Sequence, residues 1–131
     1  MTQQVYVDDK AIPDEDSLWR RVKSINFDEA LNRKRPSTAE FEDSVDGSPM
    51  SCVWTEFHLA SGLTMDDFLT GHERFGVVSF PVALARQLGF SIQKDPLPEC
   101  PAHVLVAGNK TKSARKRLSR ECKVLIETSF G

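Results

Sequence analysis

The residues best suited to chemistry sit in one stretch, 95–111, which reads Asp-Pro-Leu-Pro-Glu-Cys-Pro-Ala-His-Val-Leu-Val-Ala-Gly-Asn-Lys-Thr. Pro96, Pro98 and Pro101 stiffen an extended approach, because each ring fixes φ and turns the preceding residue away from helix. His103 then opens a short apolar run that ends in a turn at Gly108-Asn109-Lys110-Thr111. Imidazole is the side chain that titrates near neutrality without tuning, so His103 suits a general acid or base. The competing reading is a histidine at a strand edge that ties down a loop.

Arg35 is the second candidate. Pro36 holds it extended, and Ser37 or Thr38 can cap a turn through Ala39-Glu40-Phe41. An arginine held this way can clamp a phosphate or carboxylate through its planar fork. It can equally pair with Glu40 or Glu42. Lys110, Thr111 and Lys112 stand at the start of a basic segment, where helix-end amides favour anions. The spacing of a nucleotide P-loop is missing, as is Gly-x-Gly-x-x-Gly.

Metal binding is not indicated. His58, His72 and His103 are too far apart in sequence for a His-x-x-x-His or Glu-x-x-His pair, and Cys100 with His103 gives only two ligands. Cys100 paired with His103 as a nucleophile is a weaker option, since sequence neighbours rarely form a dyad. Three widely spaced cysteines argue against a disulfide framework and point to a reducing cytoplasm. No cofactor is implied.

These residues need elements to position them. The 131 residues suit one domain, and their 40% hydrophobic and 27% charged content is an ordinary globular mix. No run of ~18 apolar residues is present, so no transmembrane helix is expected, and the N-terminus lacks the pattern of a secretory signal. Residues 1–16 read as a flexible acidic arm with a short edge strand at Val5-Tyr6-Val7, ahead of a globular domain over 17–131. Residues 17–22 enter the core as helix or strand. A surface connection follows, with a helical turn around 27–31.

Further on, Thr64 caps a helix over 65–70 that Gly71 stops, and 75–80 is a buried strand. Pro81 starts a helix over 82–88 with Gly89 at its end, and 90–92 begins another strand. Residues 103–107 form a strand and 112–122 a helix. On that helix Ala114, Leu118, Cys122 and Leu125 share an apolar side, at roughly 100° per residue, opposite Lys112, Lys116, Arg120 and Lys123. Trp19, Trp54 and the eight phenylalanines are core rather than stacking surfaces. The pattern predicts a small α+β, or compact α/β, domain with three or so helices.

The net charge of −2 conceals an asymmetry: residues 109–123 carry +6 and the remainder −8. Together, the 35–41 segment, Gly76-Val77-Val78 with 85–89, and Asp95 to Thr111 resemble a group of small bacterial proteins of unknown function. That group shares an Arg-Pro-Ser…Phe segment and an Asp-Pro-x-Pro-x-x-Pro-Ala-His…Gly-x-Lys-Thr segment. The resemblance implies no mechanism, but it places Arg35, Ser37, Asp95, His103 and Lys110 in the shared pattern. Cys100 stands where asparagine is expected, and Asn109 where lysine is.

Two functions follow as expectations. The first is a binding module for nucleic acid or an acidic protein surface, using Arg35, Asp95, Lys110, Thr111, Lys112, Lys116 and Arg120. The second is a small hydrolase or nuclease-like enzyme acting on a phosphate-containing substrate. In it His103 is the general acid or base, Arg35 the anion clamp, and Ser37 or Lys110 assists. The enzyme reading requires Arg35 and His103 to meet within ~10 Å in one cleft.

Overall fold

The segment that periodicity leaves between helix and strand is an interior strand, β1 (Ser17–Val22), flanked on both sides by hydrogen-bonded neighbours. The computed structural model describes residues 6–128. Strands β4 (Met50–Trp54), β5 (Gly76–Pro81), β6 (Ser91–Lys94), β7 (His103–Ala107) and β8 (Lys123–Ile126) join β1 in an antiparallel sheet ordered β6-β7-β4-β1-β5-β8. A separate hairpin pairs β2 (Ile25–Asp28) with β3 (Arg33–Pro36). Helices α1 (Thr55–Ala60), α2 (Met65–Leu69), α3 (Val82–Gln87) and α4 (Lys112–Glu121) complete an α+β domain, with a 3-10 turn over Thr38–Phe41.

Side chains alternate across a strand, so each strand serves two faces. Leu18, Val22, Met50, Cys52, Val78, Phe80, Val104 and Val106 point to the main core, where Ala114 and Leu118 of α4 and Leu84 and Ala85 of α3 meet them. On the opposite face Trp19, Val53 and Val77 make a smaller core with Phe68 of α2 and Ala102. That second layer covers only part of its face. The uncovered remainder is where His103 lies.

Several elements follow their local chemistry closely. Thr64 and Asp67 form a reciprocal capping box at the start of α2. Gly71 and Gly89 take positive φ, as a chain leaving a short helix requires. A Cβ on Gly108 would lie 2.6 Å from Phe90 Cδ1, so only glycine lets the chain pass that ring.

Five expectations need correction. Residues 27–31 are not a helical turn. Asp28 Oδ1 accepts from the Ala30 and Leu31 amides, and Asn32 takes φ 52°, which makes a tight turn between β2 and β3. Leu125 is not on the last helix, because the chain turns extended at Cys122 and β8 leaves Leu125 44% exposed.

The aromatic residues are not all core, since Phe27 and Phe57 are exposed. Nor is the acidic arm loose over its described part. Ile12 is fully buried, Asp9 N donates to Ile92 O, and Arg86 holds Asp8 and Asp14. Tyr6 and Val7 form no strand, and Val5 lies outside the described residues.

Among the described residues no helix is long and apolar enough to cross a membrane.

Candidate active site

The β6–β7 hairpin decides where His103 points. Lys94 pairs with Val104, which sets Asp95 across from His103, and Asp95 N donates to His103 O at 2.9 Å. The proline-rich loop then continues the hairpin: Leu97 and Cys100 exchange both main-chain hydrogen bonds at 3.0 Å. The prolines therefore prolong a paired ribbon, and its geometry fixes the imidazole.

His103 Nδ1 lies 3.0 Å from the Asp95 main-chain carbonyl and 3.0 Å from Asp95 Oδ2. Both partners only accept, so Nδ1 must carry the proton. Nε2 of the neutral ring then presents its lone pair, and it meets Ser51 Oγ in a close hydrogen bond. Ser51 is on β4, diagonal to His103 on the same face, since Val53 pairs with His103 and Ser51 with Leu105. Ser51 Oγ–H, His103 and the Asp95 carboxylate thus form one chain of hydrogen bonds. His103 is 13% exposed and Asp95 42%, so the chain runs from a sheltered imidazole to a wetter carboxylate.

Arg20 fixes the main chain behind this group. Its Nη1 donates to Ser51 O at 2.6 Å and its Nε to Glu40 O at 2.7 Å. A third bond reaches Glu42 O at 3.4 Å. The paired register between β1 and β4 covers Leu18–Trp54 and Trp19–Val53, and at the next position the Arg20 guanidinium satisfies the Ser51 carbonyl.

Ser51 and His103 line a cavity of about 830 Å³ whose other walls include Arg21, Lys23, His72, Phe75 and Cys100. Its charged lining sets Arg21 and Lys23 against Asp67 and Glu99, while the Arg20 guanidinium is spent on main-chain carbonyls behind it. Asp67 is engaged with Thr64. Arg21 donates to Phe68 O at 2.7 Å and stacks over the Phe68 ring at 4.7 Å. His58, 2% exposed, is structural: its Nε2 bonds Thr64 O and its ring packs edge-on to Trp19 and Phe68.

Cys100 is not the partner of His103, whose two nitrogens are taken by Asp95 and Ser51. Burial raises the Cys100 thiol above its ordinary pKa despite help from nearby amides and Arg21, which keeps it protonated near neutrality. Cys52 is pushed up to about 11 by burial and is a core residue.

The other sequence candidates lie elsewhere. Arg35 does not meet His103 in the cavity: its Nε pairs with Asp28 at 2.6 Å and its Nη1 donates to Ser119 Oγ at 3.1 Å. Its fork is closed by β2 and α4. Ser37 caps the 3-10 turn, accepting from Ala39 N, and does not line the cavity.

Lys110 is a clamp rather than an anion site. It is 5% exposed and spends its three donors on Asp43, Val106 O and Gly108 O. Thr111 caps α4. Lys112, Lys116 and Arg120 are exposed on α4, on the far side of the sheet from Ser51 and His103.

Ser51 and Arg20 are the site residues that sequence reasoning missed. Met-Ser-Cys-Val-Trp alternates only weakly, and α1 begins without a side-chain cap, so this region carries no strong local signal. No family model, curated protein or solved structure matches the chain.

Proposed function

We propose that this chain is a small hydrolase of phosphate esters in which Ser51 is the nucleophile and His103 the general base. The observation that carries this reading is the hydrogen-bond chain from Ser51 Oγ through His103 to Asp95, opening on a cavity that Arg21 and Lys23 line. Ser51 Oγ attacks phosphorus and its proton passes to Nε2. The bond to the leaving oxygen breaks, and that oxygen takes the proton back from Nε2. Water then attacks the phosphoseryl group and loses its proton to His103; the P–Oγ bond breaks, Ser51 Oγ takes that proton back from Nε2, and inorganic phosphate departs. Asp95 keeps the imidazole in the productive tautomer and stabilises it while charged. Arg21 and Lys23 supply positive charge for the phosphoryl oxygens.

Arg35 has no part in this scheme, because Asp28 already satisfies it. The experiment is hydrolysis of 4-nitrophenyl phosphate by the wild type and by Ser51→Ala. The wild type is expected to turn over and the variant to lose at least 100-fold. Equal rates would contradict the reading.

A second reading rests on a separate observation. Arg33 donates to Arg120 O, which brings the bases of β3 beside those of α4. Lys112, Lys116, Arg120 and Lys123 enter no ion pair among the described residues. This face is proposed as a weak nucleic-acid contact that works independently of the cavity, since the sheet separates the two.

A further inference from the structure

The ladder between β1 and β4 stops short. It pairs Leu18 with Trp54 and Trp19 with Val53, yet β1 runs on to Val22 and β4 begins at Met50. Continued by two residues, the same register would set Arg21 across from Ser51, on the face that carries Trp19 and Val53. The Arg20 guanidinium reaches in at this point and takes the Ser51 carbonyl. The cavity lies over the opening, with Arg21, Ser51, Cys52 and Val53 on its lining. We propose that the opening seats a phosphate group with three unesterified oxygens, so that the substrates are phosphate monoesters and not diesters. This rests on the hydrolase reading and names its substrate class.

Arg21 is held in a way that suits an anion. Its Nη1 donates to Phe68 O and its face lies over the Phe68 ring, which anchors the group to α2. Among the described residues no hydrogen bond takes its Nε–H or Nη2–H groups. That edge presents two parallel N–H donors, the fork that binds two phosphate oxygens at once. The side chain is half-buried, and burial lowers its pKa below the ordinary arginine value. A bound anion offsets that desolvation.

Lys23 supplies the third contact. It is exposed and lines the same cavity two residues beyond Arg21, with Nζ 5.5 Å from the Phe75 ring centroid. Among the described residues its ammonium enters no ion pair. A monoester offers two oxygens to the Arg21 fork and a third, with a second negative charge, to Lys23. A diester has only two such oxygens and one charge, and its second organic group would face the ammonium.

Position ties the seat to the reaction. The sheet order β7-β4-β1 puts His103 on one side of Ser51 and Arg21 on the other, so base and cation flank the nucleophile. The two carboxylates of the lining leave the seat clear. Asp67 is engaged with Thr64, and Glu99 belongs to the Leu97–Cys100 turn at the tip of the ribbon, whereas His103 is paired at its base.

The test uses the full chain carrying Ser51→Ala, which binds without turnover, and measures affinity for phenyl phosphate and methyl phenyl phosphate by calorimetry. Working about two units above the second phosphate pKa of about 6 keeps the monoester doubly charged. Phenyl phosphate is expected to bind at least 10-fold more tightly than methyl phenyl phosphate. Adding Lys23→Gln should shrink that preference to under threefold by weakening the monoester alone. Adding Arg21→Lys, which keeps the charge and loses the fork, should weaken both esters at least fivefold, with circular dichroism reporting the fold. Equal affinity for the two esters would overturn the seat. So would a preference that survives Lys23→Gln, or a folded Arg21→Lys chain that binds as tightly as before.

The two proposals fail separately. Monoester preference in Ser51→Ala without turnover of 4-nitrophenyl phosphate by the wild type removes the catalytic reading and keeps the seat. Turnover in which methyl 4-nitrophenyl phosphate is cleaved as fast as the monoester does the reverse. Binding of neither ester, with no turnover, removes both.

Discussion

Asp95 holds His103 with two oxygens at once: its main-chain carbonyl and its carboxylate both accept from the same ring nitrogen, each at 3.0 Å. The hairpin alone therefore fixes the tautomer, and the carboxylate adds charge stabilisation. This predicts an unusually tolerant third member. Asp95→Asn should slow turnover roughly 10- to 100-fold, short of the roughly 10⁴-fold loss seen where the carboxylate alone sets the tautomer. Steady-state kinetics of Asp95→Asn beside Ser51→Ala check this. A loss as deep as that of Ser51→Ala would mean that the main-chain bond does not hold the ring.

In the proposed reaction Arg20 acts only through Ser51, whose carbonyl it holds. Replacing it with methionine strands the carbonyls of Glu40 and Ser51 and should cost about 2–4 kcal/mol of stability. Arg20→Lys can still reach one of those carbonyls and should fold. In that variant kcat should fall with KM little changed, because Arg20 spends its donors on main chain rather than on substrate. A rise in KM alone would instead make Arg20 a substrate contact.

The expectation of a loose arm and the structure disagree most sharply at Ile12, which makes a clean stability test. Fully buried, Ile12 should cost about 2–4 kcal/mol when cut to alanine. Urea denaturation measures it. A change under about 0.5 kcal/mol would restore the loose arm.

How much of this molecule its sequence discloses depends on the range of the forces involved. Thr64 with Asp67, Pro81 with Gly89, and the span 103–107 are set by neighbours in the chain, and the elements appear close to where local chemistry puts them. His103 was legible for the same reason, framed by prolines and an apolar run. Its partner Ser51 was not, because the contact spans 52 residues and arises only when β4 pairs with β7. Arg35 misled because a proline-fixed arginine looks the same whether or not a carboxylate awaits it. Asp28 is that carboxylate, and only the β2–β3 hairpin brings it there.

Asp8 gives a pH-dependent signature. Burial alone would raise its pKa, but the Ile92 amide and Arg86 outweigh it and hold the carboxyl below its ordinary value. A depressed folded pKa means that its contribution is complete above the unfolded value, about pH 4, and is lost as pH falls through the folded one. Asp8→Asn should therefore destabilise by about 1 kcal/mol at pH 7 and converge with the wild type once pH has fallen below the folded value. A gap that stays constant with pH would show that shape rather than charge makes the contact.

The α4 face can be tested without reference to the cavity. Binding to a random duplex should weaken steeply from about 50 to 200 mM salt, and Lys116→Glu with Arg120→Glu should flatten that slope. Ser51→Ala should leave it unaltered. Salt-independent binding, or capture of acidic proteins but not DNA, would redirect the proposal to a protein partner.

The central claim is that His103 activates Ser51, and covalent trapping with diisopropyl fluorophosphate reads it directly. The serine oxygen displaces fluoride, and mass spectrometry of the digested chain locates the adduct. The account predicts a single adduct on Ser51, formed at least 100-fold more slowly in His103→Ala. An unlabelled Ser51, or labelling at the same rate without the imidazole, would contradict it.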